Sequence, residues 1–289
     1  MQAAARVEAE RQKAQQRLLS SCIVESGSIV AEPPQHPAMT DLKAVFWDVD
    51  GTLADTEMEG HRPAFNTAFA ELGLNWCWDQ TLYQRLLATP GGGQRMLQYA
   101  LERGEPLDSE RLANLKRAKQ HHYLERIRSG AVTLRPGVAR LLAELQQAGI
   151  AQWIVTSSGQ ASVEALLTGV FRGTDHPFQG VVSSDDVNRH KPHPDPYWCA
   201  LRRSGIPPEA GLAIEDSAAG LVAATDATLA CLVTPSPWDR ELPPVLHRAC
   251  AVIDHLGEPT LPLTPKAGPP CAEGLVTLEY LQSLLECVV

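Results

Sequence analysis

The chain has 289 residues, of which 44% are hydrophobic, and a net charge of −9 at pH 7 with histidine neutral. That hydrophobic content can fill one large α/β core or two smaller ones. An acidic chain without a basic stripe is not typical of nucleic-acid binding, and no stretch reaches the ~18 apolar residues of a membrane span. We therefore expect neither nucleic acid nor a membrane as a partner.

Seven cysteines are scattered along the chain, and none belongs to a C-x-x-C pair. An odd number without paired spacing argues against both a disulfide framework and a zinc site. We interpret them as small buried residues and a few surface thiols in a reducing compartment.

Residues 1–38 differ from the rest of the chain and are expected to lie outside the fold. Their first half is rich in Ala, Gln, Glu and Arg, as in a solvated helix, and SGSIVAEPPQHPA then breaks regular structure. The segment lacks the apolar core of a secretory signal, and Glu8 and Glu10 weaken its interpretation as a transit peptide. We predict a disordered or helical extension, with Met39 as an alternative start.

The first predicted strand, KAVFWD, is followed by a long helical region over residues 57–130. Ala64, Ala68 and Leu72 repeat at helical spacing, and Asp108 is a plausible helix cap. The second strand, AQWIVT, begins far later than the ~30 residues that an ordinary crossover requires. We therefore predict that residues 57–130 are an inserted helical cap domain above the strand ends.

From the second strand onward, short apolar runs alternate with helical segments of about ten residues, which predicts right-handed βαβ units and a parallel sheet. The predicted fold is α/β, a Rossmann-like core over residues 39–56 and 131–258 with the cap inserted. AVIDHL is expected to be the last edge strand. Residues 259–289 are expected to be a linker, PTLPLTPKAGPP, and a C-terminal helix.

Polar side chains follow four of the predicted strands where each strand ends. They are Asp48 and Asp50, Thr156, Lys191, and the pair Glu215 and Asp216. Because the carboxyl ends of parallel strands meet in one crevice, we expect these side chains to lie together.

Four carboxylates in one crevice would repel one another unless a cation joined them. Mg²⁺ prefers oxygen ligands and also accepts water and phosphate. A lysine and a hydroxyl suit the oxygens of a phosphoryl group. The set therefore predicts Mg²⁺-assisted phosphoryl transfer.

These motifs, D-x-D-G-T-L, a hydroxyl after an apolar strand, K-P, and E-D after GLAI, resemble in their order the haloacid dehalogenase superfamily of phosphatases and mutases. The resemblance extends from about Lys43 to Leu256. It implies that Asp48 is the nucleophile that becomes an aspartyl-phosphate, and that Asp50 is the general acid and base. It also implies that Asp48 and the backbone carbonyl of Asp50 contact the metal.

The resemblance further implies that Asp216 is a distal metal ligand and that Glu215 is a direct or water-mediated one. Thr156 and Lys191 match the phosphate-binding hydroxyl and lysine. Ser157 is the alternative hydroxyl, since TSS offers adjacent candidates at an uncertain strand end.

The inserted region resembles more closely the CbbY branch, which is near the β-phosphoglucomutases, through HRPAFNTAFAELGLNWCWD and LYQRLLATPGGGQRM. This resemblance implies a cap that closes over the site and selects a small sugar phosphate or bisphosphate. CbbY-type enzymes dephosphorylate xylulose-1,5-bisphosphate, a misfire product that inhibits Rubisco. The expected product is xylulose 5-phosphate.

Three cap residues are candidate substrate contacts. Arg95 follows three glycines and offers a bidentate guanidinium to a second phosphate; its alternative is a solvated cation at a helix start. Glu57 and His61 begin the first cap helix and are predicted to contact sugar hydroxyls, although His61 is equally typical of a helix surface.

The remaining aromatic and histidine residues are assigned to structure. Trp76, Trp78, Phe65 and Phe69 are expected to form the cap core rather than a sugar-stacking platform. Three histidines are expected to be exposed, namely His121, His122 and His190.

Four alternatives remain open at this stage. The first is a β-phosphoglucomutase-type mutase, which returns the phosphate to the sugar, and the second is a phosphatase of another small phosphorylated metabolite. A catalytically inactive binding module and a dehalogenase are less consistent with Asp48, Asp50 and the E-D pair. We expect a cytoplasmic monomer, with the plastid stroma as the alternative compartment.

Overall fold

The fold is described from a computed structural model of the protein. It describes residues 41–89, 91–172, 175–238 and 244–287. The predicted N-terminal extension, residues 1–38, lies outside the described residues.

A seven-stranded sheet forms the core, with the strand order β3-β2-β1-β4-β5-β6-β7. Strands β1 to β6 are parallel, and β7 is antiparallel to β6. The strands are β1 Ala44–Trp47, β2 Ala151–Val155, β3 Gly180–Val182, β4 Gly211–Glu215, β5 Ala230–Val233, β6 Ala251–Ile253 and β7 Pro265–Ala267.

Nine α-helices lie in the described part of the chain. They are α1 Arg62–Glu71, α2 Gln80–Leu86, α3 Gly92–Glu102, α4 Ser109–Arg128, α5 Val138–Gln147, α6 Gln160–Phe171, α7 Asp195–Ser204, α8 Ala218–Asp226 and α9 Leu278–Leu284. No helix of the described ranges is both long enough and apolar enough to cross a membrane.

The central strand β1 is buried on both faces, as its unbroken apolar sequence AVFW predicts. Val45 and Trp47 lie in the core on one face of the sheet, together with apolar residues of α5, α6 and α9. Ala44 and Phe46 face the other way and lie in the core shared with α7 and α8. Helices therefore cover both faces, and the predicted α/β fold is confirmed.

Helices α1 to α4 lie between β1 and β2 and have a hydrophobic cluster of their own. A π-helical turn, Glu57–His61, leads into α1. Phe65, Phe69, Trp76 and Trp78 are all buried in this cluster, and the rings of Phe69 and Trp78 lie 4.8 Å apart. These aromatic residues form a helical core, as predicted, which leaves none of the four free to stack on a sugar.

The C-terminal region differs from the prediction. Pro265–Ala267, within the predicted linker, forms β7 and pairs with β6, so AVIDHL is not the edge strand. A strand that begins with proline and is exposed at every residue has no apolar alternation to reveal it. The predicted terminal helix is present as α9, in which Leu281 and Leu284 are buried in the main core.

Candidate active site

The loop that follows β1 makes a tight turn immediately beside Asp216. The Asp48 N–H donates to the Ile214 carbonyl at 3.0 Å, which fixes the start of the loop on β4. Gly51 adopts φ +89°, and a β-carbon at this position would lie 2.0 Å from Asp216 Oδ2. Only glycine lets the loop backbone approach the Asp216 carboxylate this closely.

Lys191 lies between two buried carboxylates. Its Nζ is 2.7 Å from Asp48 Oδ1 and 2.6 Å from Glu215 Oε1, and it also donates to the Val155 carbonyl at 2.8 Å. The side chains of Lys191 and Glu215 are only 4% and 0% exposed. Residues from the ends of β1, β2 and β4 therefore meet at one cation, as the topology predicts.

Burial and the ion pairs together set the charges of this group. Burial raises the pKa of Asp48, and raises that of Glu215 to about 7, in each case against the attraction of Lys191. Burial alone would lower the pKa of Lys191, but attraction to Asp48 and Glu215 outweighs it and raises the pKa above its usual value. The lysine is therefore a permanent cation, whereas Glu215 can take up a proton near neutral pH.

Three carboxylates offer a site for a divalent metal ion. One oxygen each from Asp48, Glu215 and Asp216 lie within 4.8 Å of one another. Glu215 Oε1 accepts a hydrogen bond from the Tyr197 hydroxyl, while Oε2 is buried without a hydrogen-bond partner. A buried carboxylate oxygen without a donor, in a cluster of hard oxygen ligands, fits a bound divalent cation.

Asp50 lies in a different environment from Asp48. Its Oδ1 accepts from the Thr56 hydroxyl at 2.5 Å and from the Tyr123 hydroxyl at 3.4 Å. Its Oδ2 accepts from the Ser158 hydroxyl at 2.5 Å. The carboxyl group of Asp50 is thus fixed by hydroxyl groups, whereas that of Asp48 contacts a lysine and the candidate metal ligands.

The two hydroxyl candidates after β2 are placed differently. Thr156 is buried, and its Oγ1 accepts the Ser158 N–H at 3.0 Å. Ser157 is exposed. Ser158, which was not predicted, is the hydroxyl of the run TSS that reaches Asp50. Spacing alone cannot select a residue within that run.

Arg95 and Glu57 are brought together in the helical region. Arg95 Nη1 lies 3.2 Å from Glu57 Oε2 and donates to the Tyr83 hydroxyl at 3.0 Å. Tyr83 in turn donates to Glu57 at 2.5 Å. Arg95 is 8% exposed, so the alternative of a solvated helix-start cation is wrong, and Glu57 supplies its countercharge.

His61 is half-buried beside Lys119, a lysine that was not predicted from the sequence. Lys119 Nζ lies 2.8 Å from His61 Nδ1, and the His61 ring stacks on Tyr123 with centroids 4.0 Å apart. Burial lowers the pKa of His61 to about 3 and that of Lys119 to about 8. His61 is therefore neutral at physiological pH, and its contacts with Lys119 and Tyr123 distinguish it from a free helix-surface histidine.

Lys119 and Tyr123 both belong to α4, and their role could not be predicted from the pattern of this helix. The segment KRAKQHHYLER carries charge on most sides of the helix, so no pattern marks the residues that face inward. Of the three histidines expected to be exposed, His121 and His190 are exposed, whereas His122 is half-buried.

The loop after β5 contacts the start of the helical region. The Trp238 indole N–H donates to Asp55 Oδ2 at 2.7 Å, and the Gln84 amide donates to the Trp238 carbonyl at 2.8 Å. This loop thus connects the sheet to α2 and to the segment that leaves the aspartate loop.

Comparison with known proteins finds a matching family model and similar sequences. The model of the haloacid dehalogenase-like hydrolase family matches residues 45–234. The CbbY protein of Rhodobacter capsulatus is 43% identical over 201 residues, which span 69% of this chain and 88% of the relative. The plasmid-encoded CbbY protein of Cupriavidus necator is 40% identical over 234 residues, spanning 77% and 89%.

Solved structures of haloacid dehalogenase-type enzymes also match this chain. A crystal structure of a CbbY mutant from Rhodobacter sphaeroides in complex with xylulose-(1,5)bisphosphate matches with a TM-score of 0.63 and 38% identity, over 74% of this chain and 94% of that chain. A putative β-phosphoglucomutase from Thermotoga maritima matches with a TM-score of 0.61 but 23% identity, over 86% and 100%, and so shares the fold alone.

The resemblance drawn from the strand-end motifs and the inserted region is therefore confirmed. The chain belongs to the haloacid dehalogenase-like hydrolases, and it is a phosphatase of their CbbY-like branch.

Proposed function

We propose that this phosphatase is Mg²⁺-dependent and converts xylulose-1,5-bisphosphate to xylulose 5-phosphate through an aspartyl-phosphate on Asp48. One observation carries the proposal: Asp48 and Lys191 are paired at the sheet edge, in a chain 38% identical to a CbbY protein that crystallised with this bisphosphate. Cytoplasmic location and a monomeric state remain expectations.

Asp48 is the proposed nucleophile. Its backbone is fixed on β4, and Lys191 holds Oδ1 at 2.7 Å, which orients the carboxylate and favours its ionised form against the effect of burial. A carboxylate oxygen forms the new bond to phosphorus while the bond from phosphorus to the sugar oxygen breaks. The Lys191 ammonium, and the Thr156 hydroxyl at the end of β2, would then stabilise the negative charge of the transferred group.

Asp50 is the proposed proton carrier. It gives its proton to the departing sugar oxygen, and it then accepts a proton from the water that attacks the aspartyl-phosphate and releases inorganic phosphate. The hydroxyl groups of Thr56, Tyr123 and Ser158 hold its carboxyl group in place. No cation lies within hydrogen-bonding distance of Asp50 among its described contacts, which is compatible with a carboxyl group that carries a proton for part of the cycle.

Asp48, Glu215 and Asp216, together with the backbone carbonyl of Asp50, are the proposed metal ligands. When bound there, Mg²⁺ would neutralise the carboxylates and the phosphoryl oxygens. Glu215 must be ionised to serve as a ligand, and its pKa of about 7 without metal means that metal and proton compete for it.

Residues 57–130 are proposed to be the cap domain that selects the substrate. Arg95, Glu57 and His61 would contact the sugar bisphosphate, and a phosphate on Arg95 would have to share the guanidinium with Glu57. Lys119, a cation beside neutral His61, adds positive charge suited to an anionic substrate.

A phosphate-release panel tests the proposal. It should include xylulose-1,5-bisphosphate, other pentulose bisphosphates, pentose phosphates, hexose phosphates and phosphoglycolate, each with Mg²⁺ and with EDTA. We expect the highest kcat/KM for xylulose-1,5-bisphosphate, only with Mg²⁺, and loss of activity in Asp48→Asn. Asp41→Asn is the matched control, because Asp41 is an exposed aspartate close to β1 and should leave the rate unchanged.

Three results would contradict the proposal in different ways. A higher kcat/KM for another substrate would make the protein a phosphatase of another small metabolite. Isomerised hexose phosphate without net phosphate release would support the mutase. Unchanged phosphate release by Asp48→Asn would refute the catalytic assignment itself.

A further inference from the structure

Two adjacent histidines on α4, immediately before Tyr123, lie beside two carboxylates that have no role in the candidate active site. His121 Nε2 is 3.4 Å from Glu125 Oε2, and His122 Nδ1 is 3.6 Å from the same oxygen. His122 Nε2 lies 2.5 Å from Glu71 Oε2, at the end of α1. This group joins the two helices through charged and imidazole side chains.

Two of the three distances between the ligand atoms are close to those of a tetrahedral metal site. A tetrahedral zinc ion with ligands at about 2.0–2.1 Å places any two ligand atoms about 3.3–3.4 Å apart. The atoms of His121, His122 and Glu125 all lie within 4.8 Å of one another, and the two contacts to Glu125 are 3.4 and 3.6 Å. Small side-chain adjustments would therefore bring all three onto one ion.

Glu71 selects the nitrogen of His122 that is available to a metal. An ionised carboxylate only accepts hydrogen bonds, so in the neutral imidazole that binds a metal the hydrogen would lie on Nε2, which faces Glu71. The lone pair is then on Nδ1, the atom that faces Glu125. A metal-bound imidazole that donates its other N–H to a carboxylate is a common arrangement, which orients the ring and makes it a better ligand.

The surroundings leave room for a fourth ligand. A cavity of about 330 Å³ is lined by His122 and Glu125 together with Thr67 and Ser129. The cation in this lining, Arg126, donates its Nε to the backbone carbonyl of Glu59 instead of pairing with Glu125. Water from this cavity would complete a four-coordinate site.

We infer that His121, His122 and Glu125 form a second metal site, for a transition-metal ion such as Zn²⁺, with Glu71 as the positioning residue for His122. Two imidazoles and one carboxylate favour Zn²⁺ or Co²⁺ over Mg²⁺. The site is thus chemically distinct from the all-oxygen cluster of Asp48, Glu215 and Asp216, and the two should take different metals.

Titration of the full chain with Co²⁺ tests this inference, because four-coordinate Co²⁺ with nitrogen ligands absorbs strongly in the visible region whereas a six-coordinate oxygen site absorbs weakly. Saturating Mg²⁺ keeps the carboxylate cluster filled. We expect one equivalent of strongly absorbing Co²⁺, displaced by Zn²⁺. His121→Ala and His122→Ala should abolish the band, and Glu71→Gln should weaken Co²⁺ binding by about 10–100-fold.

His247→Ala is the matched control, since His247 is an exposed histidine outside the group, and it should leave the titration unchanged. Circular dichroism establishes that each variant is folded. Absence of the strong band in the folded wild type, or its persistence in both His121→Ala and His122→Ala, would overturn the inference. An unchanged Co²⁺ affinity in Glu71→Gln would overturn the role given to Glu71.

Discussion

Replacement of Lys191 by methionine removes one charge from the most buried part of the candidate site. Methionine keeps much of the apolar stem but loses the contacts of Nζ with Asp48 and Glu215, at 2.7 and 2.6 Å, and with the Val155 carbonyl. Two buried carboxylates then face each other without their cation. Removing one partner of a buried ion pair costs about 3–5 kcal/mol, and we expect a loss of this size at pH 8 in EDTA.

The loss should become smaller at lower pH. Without Lys191, the pKa of Glu215 can only rise further above the value of about 7 that it has in the intact protein. A carboxyl group whose pKa is higher in the folded than in the unfolded protein stabilises the fold at low pH. This contribution is complete below the unfolded pKa and is lost as the pH rises through the folded pKa. Since the folded pKa of Glu215 is about 7 with Lys191 and higher without it, Lys191→Met should differ least from the wild type below about pH 7 and diverge from it as the pH rises above about 7.

Urea unfolding followed by circular dichroism, in EDTA at pH 5.5 and at pH 8, measures both effects. Lys43→Met is the control, because Lys43 is exposed and a surface substitution changes stability by about 0.5 kcal/mol or less. Addition of Mg²⁺ should restore part of the loss in Lys191→Met, since a bound cation again neutralises the carboxylates. A difference between variant and wild type below about 1 kcal/mol at pH 8, or one that shrinks as the pH rises, would refute this account of the charges.

Three further changes act on neighbouring parts of the site. The Arg135 guanidinium donates to four backbone carbonyls, including that of Gly51. Arg135→Met leaves these carbonyls without their donor and should lower the free energy of unfolding, measured by urea titration, by about 3 kcal/mol or more. Tyr197→Phe removes the hydroxyl that donates to Glu215, and should weaken Mg²⁺ binding, measured by calorimetry, several-fold. Lys119 loses its charge as the pH rises through its pKa of about 8, so the wild-type kcat/KM for an anionic substrate should fall in that range. Lys119→Met removes the cation and should lack that fall.

Each of these three substitutions has a control variant elsewhere in the chain. Arg128→Met alters an exposed arginine and should leave stability unchanged. Tyr280→Phe removes a hydroxyl that donates to Pro269, and equal Mg²⁺ affinities for it and Tyr197→Phe would contradict the role of Tyr197. Lys116→Met changes an exposed lysine of the same helix; the same alkaline fall in both lysine variants would contradict the assignment to Lys119.

The parts of the site that could be predicted are those governed by strand topology. Asp48, Lys191 and Glu215 follow short apolar runs, and parallel strands bring their ends together whatever lies between them. Their contacts at 2.6–2.7 Å agree with that rule. The parallel pairing of β1 with β2 is predictable as well, because strands that follow one another in the chain are usually neighbours in the sheet, whatever is inserted between them.

The parts that could not be predicted depend on helix orientation. Lys119 and Tyr123 are two of many polar residues on α4, and only the packing of this helix on α1 decides which side chains approach Asp50. Glu57 and Arg95 are each predicted to contact the substrate, but nothing in the sequence indicates that they pair with each other. Strand β7 lacks apolar alternation altogether, so its pairing with β6 is visible only in three dimensions.

The close contact between Gly51 and Asp216 constrains how the sequence can diverge. Gly73 also has a positive φ but has no atom within 4 Å of the place of a β-carbon, so asparagine, which tolerates this conformation, is an acceptable replacement there. At position 51 any side chain would occupy the space of the Asp216 carboxylate. In a library of single substitutions, position 73 should therefore retain several residues, whereas position 51 should retain glycine alone, and the two ends of the candidate metal site, although far apart in the chain, would have to evolve together.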